Sequence, residues 1–133
     1  MGMRRSALVA IGAALGAGIR WIGLELEWGN PDQIILALNL LGTALLATVI
    51  EWRGKGVSTQ SEALMGAGFC GALTTWSSLA LLTADHLKHA RFTHALLWLG
   101  ANIAAGLVVA AAAKAVQAQR RPPPVSIHSG PGP

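Results

Sequence analysis

Charge is what this chain has least of. Asp, Glu, Lys and Arg make up 12 % of its 133 residues, about half the share a soluble domain carries. That excludes an ordinary water-soluble globule. Tyrosine is absent, and one cysteine, Cys70, excludes an intrachain disulfide. Cys70 lies in an apolar stretch and reads as a small packing residue. There is no phosphate-cradling glycine loop, no acyl nucleophile set and no metal-ligand cluster by spacing, so nothing here argues for an enzyme. His86 and His89 stand three apart, but with no supporting cluster they read as solvated loop residues.

What is present is apolar. Hydrophobic residues make up 53 % of the chain. Four runs, about 6–24, 33–50, 63–82 and 92–116, are each about long enough to cross a bilayer. The expectation is an all-α membrane protein: one four-helix transmembrane domain over 1–116, and a disordered Arg-, Pro- and Gly-rich tail over 117–133. Arg4-Arg5 before the first run also fits a signal peptide, but three further apolar runs follow and no clear small-x-small cleavage site precedes a polar domain. Net charge is +4. The cations sit at the ends of runs, which points to lipid headgroups rather than nucleic acid as partner. With four spans, Arg4, Arg5, Arg53, Lys55, Arg120 and Arg121 share one side and Lys88 and Arg91 the other, which favours cytoplasmic termini.

The third run is unlike an anchor. From Gly66 to Ala80 it holds three glycines and four hydroxyls, Thr74, Thr75, Ser77 and Ser78. Such a segment either packs closely against neighbours or breaks the helix, and broken backbone at that depth is tolerated only inside protein or beside a water-filled path. We read a discontinuous helix, unwound between Gly71 and Trp76 near mid-membrane, beside an ion pathway.

The other runs carry few polar residues. Gly12 and Gly16 form a G-x-x-x-G, with Arg20 continuing that face. Arg20 either snorkels to headgroups or lines an anion entrance. Asn39, with Thr43 one turn on, is either interhelical glue or a donor to a dehydrating anion. His94, Trp98, Asn102, Gly106, Ala110 and Lys114 form a stripe on the fourth run, with Asn102 at mid-span.

Three blocks in order, Gly16-Ala17-Gly18-Ile19-Arg20-Trp21, Asn39-Leu40-Leu41-Gly42-Thr43 and Gly68-Phe69-Cys70-Gly71-Ala72-Leu73-Thr74-Thr75-Trp76-Ser77, resemble the fluoride channel family, the small Fluc or CrcB membrane proteins. The likeness runs over about 4–116. It implies passive export of cytoplasmic fluoride by an antiparallel, dual-topology dimer with pores along the subunit interface. It also implies a structural sodium on the dimer axis, held by main-chain carbonyls that fall at Gly71 and Thr74. A pore that strips water from fluoride must replace those bonds with donors, and the candidates are Asn39, which matches the family's pore asparagine, Thr75, Trp76, Ser77, Ser78 and Asn102, with Arg20 at the pore entrance. Thr43, Leu79 and Trp98 are weaker candidates. The family's pair of phenylalanines on helix three falls at Trp76 and Leu79 here; Trp76 offers a ring edge and an indole N–H, Leu79 neither.

The bias of six cations against two leaves two assemblies open, a homodimer and a hetero-pair with an oppositely oriented paralogue. Two other functions compete. A small proton-coupled multidrug exporter needs a membrane-embedded carboxylate, and 6–24 has none. A non-transporting membrane scaffold subunit would need only small-residue packing.

Overall fold

A computed structural model describes residues 2–26, 29–53 and 56–119. They form α1 (Gly2–Glu25), α2 (Pro31–Arg53), α3 (Thr59–Glu62), a π-helical stretch (Ala63–Cys70), α4 (Gly71–Leu73), α5 (Trp76–Lys88) and α6 (Phe92–Gln119). Four spans are long and apolar enough to cross a membrane: Met3–Glu25, Pro31–Arg53, Thr59–Lys88 and Phe92–Gln119. At most 33 % of any span's most apolar window is buried within the chain, so most of the apolar surface must meet something other than water. The chain is a multi-pass membrane protein.

The spans overrun the expected ones. The third extends at both ends beyond 63–82, because Thr59 to Glu62 and Thr83 to Lys88 stay helical. The fourth runs through Gln119, three residues into the expected tail; 120–133 lie outside the described residues.

Local chemistry sets the ends. Asn30 caps α2, its Oδ1 accepting from the Asp32 amide at 2.9 Å, with Pro31 at the first helical position and Asp32 in the first turn. Ser58 caps α3 through the Ser61 amide at 3.1 Å. An Arg53–Glu62 ion pair at 3.2 Å closes the turn between α2 and α3. The α5–α6 turn is a Schellman motif: the Arg91 amide donates to the His86 carbonyl at 2.8 Å and the Ala90 amide to the Leu87 carbonyl at 3.0 Å. Ala90 pays for this with φ +56°, where glycine is usual.

The third span is seated by α1. An added Cβ at Gly12 would strike the Leu64 carbonyl, and one at Gly16 the Phe69 carbonyl. From the other side, a Cβ at Gly68 would lie 2.7 Å from the Val9 carbonyl and 3.0 Å from the Gly12 Cα. The G-x-x-x-G of α1 therefore does its bland work, bringing two backbones into contact. The segment it contacts is the π-helical one, whose wider turns absorb an extra residue and re-aim the chain before α4. Leu73, Cys70 and Ile35, at 0–1 % exposure, are the largest fully buried side chains among the described residues.

Candidate functional site

The third span breaks at two residues, Thr74 and Thr75, which are extended (φ −75°, ψ 151° and φ −146°, ψ 113°). This is narrower than the expected Gly71–Trp76 unwinding, because α4 keeps Gly71–Leu73 helical.

Three polar groups fix the break. In a continuous helix the Thr75 amide would bond the Gly71 carbonyl; here it donates to Asn39 Oδ1 on α2 at 2.8 Å. The Ser78 amide would bond the Thr74 carbonyl, but donates to Thr75 Oγ1 at 3.1 Å, capping α5. The Thr75 hydroxyl donates to Ser78 Oγ at 3.0 Å and lies 3.1 Å from Ser77 Oγ. Thr74 turns back, its amide and its Oγ1 both donating to the Cys70 carbonyl at 3.0 Å. The Gly71 and Thr74 carbonyls thus lose their helical donors. Gly42 on α2 makes room: a Cβ there would meet Thr74 Cγ2.

A cleft of about 270 Å³ opens beside the break, lined by Asn39, Thr43, Leu46, Thr74, Thr75, Trp76 and Leu79. A second, of about 330 Å³, shares Asn39, Thr43, Trp76 and Leu79 and continues along α6 past Asn102, Gly106 and Ala110. Together they make one groove between α2, α5 and α6, open on the side where Trp76 is 68 % exposed.

The expected residues divide by what the groove leaves them free to do. Asn39 is half-buried; its oxygen is spent on Thr75, while its Nδ2 has no partner among the described residues. Trp76 is exposed and lines both clefts, whereas Ser77 (exposed) and Ser78 (half-buried) line neither. Thr75 is 5 % exposed and its hydroxyl serves the cap. Thr43 donates to the Asn39 carbonyl at 2.7 Å. Asn102 is buried and lines the groove, its Nδ2 donating to the Trp98 carbonyl at 2.9 Å, while its Oδ1 and the Trp98 indole N–H lack partners among the described residues. Leu79 is buried against the groove floor. Gly71 is exposed. Arg20 is half-buried on α1 and lines neither cleft.

One expectation is overturned. His86 is not a solvated loop residue: it lies in the last turn of α5, 5 % exposed, with Nε2 3.1 Å from Asp32 Oδ2 and its ring 4.7 Å from that of His94. Spacing along the chain hid this, because Asp32 comes from α2. His89 is exposed, as expected.

Comparison with known proteins agrees with the fold. The family model described as CrcB-like protein, Camphor Resistance (CrcB), matches residues 7–114. A protein named fluoride-specific ion channel FluC 2 from Parasynechococcus marenigrum (strain WH8102) is 38 % identical over 116 residues, covering 87 % of this chain and 83 % of that one. The fluoride-specific ion channel FluC of Methanopyrus kandleri is 37 % identical over 112 residues, covering 80 % and 84 %, and a FluC 2 of Rhodococcus jostii (strain RHA1) is 35 % identical over 105 residues, covering 77 % and 90 %. With its four spans, its broken third span and a family match across nearly all of its described length, the chain belongs to the CrcB family.

Proposed function

We propose that this chain is a passive fluoride channel. The observation that carries the reading is the division of labour at Asn39. Its oxygen holds the third span open, and its amino group is left as an uncharged donor in the groove. Dehydrating a small anion requires replacement hydrogen bonds, and neutral donors provide them without trapping the ion. Asn39 Nδ2 and the Trp76 ring edge and indole N–H are the candidates that line the groove, with the hydroxyls of Ser77 and Ser78 beside it in the first turn of α5. The first free amides of α5 add the positive end of a helix dipole. Thr75 and Asn102 support this set, one by capping α5 and the other by lining the groove. The relatives named fluoride-specific ion channels support the choice of ion.

The groove is open along one side, so the pathway is completed by a second chain, and we infer an antiparallel dimer. The Gly71 and Thr74 carbonyls suit a hard cation such as sodium: they are oxygen donors freed from helical partners at one break. Bound there between two chains, the cation would supply a fixed charge that ties the subunits together. The charge asymmetry favours a second assembly, a hetero-pair with a paralogue of opposite orientation. Among the described residues each side has a paired arginine, Arg53 with Glu62 at 3.2 Å and Arg91 with Asp85 at 3.1 Å, so pairing leaves the asymmetry as it stands.

The test is fluoride efflux through Asn39→Asp, which keeps an acceptor for the Thr75 amide but puts a carboxylate in place of the free donor. Efflux should vanish while the protein still elutes as the wild type does. Unchanged efflux would remove Asn39 from the pathway.

A further inference from the structure

We propose that Asp32, His86 and His94 form a binding site for a divalent transition-metal ion of the zinc type on the side of the molecule opposite the termini. One ligand atom from each lies within 4.8 Å of the others. The three come from the start of α2, the end of α5 and the start of α6, so an ion there would clasp three helix ends at once.

The spacing suits such an ion. Two donors each about 2.1 Å from a tetrahedral zinc stand roughly 3.4 Å apart, and His86 Nε2 to Asp32 Oδ2 is 3.1 Å. Only His94 must close in. It is exposed, with its ring already edge-on to His86 at 4.7 Å. Two imidazoles and a carboxylate are a zinc-type donor set that leaves a fourth position for water.

Without an ion, His86 Nε2 and Asp32 Oδ2 share a hydrogen bond at 3.1 Å; an ion would replace that bond with one to each of them. His86 is 5 % exposed, yet its Nδ1 has no partner among the described residues. A buried polar atom of that kind calls for a partner such as a water; with Nε2 on the ion, Nδ1 carries the proton and donates to it. The Schellman turn with Ala90 at positive φ sets the end of α5 against the start of α6 and so brings His86 to His94.

Asp32 precedes Asn39 by seven residues on α2, and Leu79 precedes His86 by seven on α5. Seven residues are two helical turns, a rise of ~10.5 Å on nearly the same face. The three ligands therefore stand about two turns from Asn39 and Leu79, on the same helices but outside both clefts.

The experiment titrates cobalt(II), a spectroscopic stand-in for zinc, into the purified untagged chain in detergent, with zinc competition. The expected result is one cobalt per chain with the intense visible absorption of a tetrahedral site, displaced by zinc. It should be lost in His94→Ala and in Asp32→Asn, and kept in His89→Ala. His94 is exposed, so that variant tests the site without disturbing buried packing; His86→Gln is the second variant. Absence of saturable binding, retention of full binding in His94→Ala, or its loss in His89→Ala would each overturn the assignment.

Discussion

The Thr75 amide donates to Asn39 Oδ1 at 2.8 Å, joining positions 36 apart in the chain. Without Asn39 that amide would be an unpaired donor at membrane depth. Asn39→Ala should therefore cost about 1–3 kcal/mol, the cost of orphaning a buried donor. A lowered thermal midpoint in detergent is expected; an unchanged one would show that something else holds the break.

Gly42 and Thr74 should behave as a coupled pair. A Cβ at Gly42 meets Thr74 Cγ2, so Gly42→Ala is expected to destabilise by about 1–3 kcal/mol through overpacking. Thr74→Ser removes that methyl and keeps the hydroxyl bonded to the Cys70 carbonyl. The double variant should recover most of the loss in thermal melts. Additive losses would contradict the contact.

The cap of α5 rests on the Thr75 hydroxyl. Thr75→Ala should lower stability by about 0.5–2 kcal/mol, and Thr75→Ser by much less. If both variants melt alike, the hydroxyl is not the cap.

Ala90 occupies the left-handed position of the α5–α6 turn. An L-residue there costs roughly 1–2 kcal/mol, offset in part by the greater freedom of glycine in the unfolded chain. Ala90→Gly should raise the thermal midpoint, by about 0.5–1 kcal/mol of stability. A fall would mean that the turn gains nothing from glycine.

Much of this architecture was legible along the chain. Four apolar runs gave four spans, and the Thr-Thr-x-Ser-Ser cluster marked the place where the third one breaks. The small residues of α1 signalled close contact, and Gly12 and Gly16 make it. Other features depend on contacts between distant positions. Nothing in the 63–70 spacing distinguishes π turns from α turns, since the widening comes with a neighbour's backbone pressed against Gly68. Asn39 was legible as a polar residue in a span, but not as the acceptor for an amide thirty-six positions away. The burial of His86 was hidden for the same reason, because its carboxylate partner sits at the start of α2.

The most direct test of the account is anion efflux from vesicles that contain this purified chain alone, loaded once with potassium fluoride and once with potassium chloride and run without a proton gradient. The account predicts rapid fluoride release and chloride release no faster than from empty vesicles. Equal release of both anions, or fluoride release no faster than from empty vesicles even when an oppositely oriented paralogue is added, would contradict it.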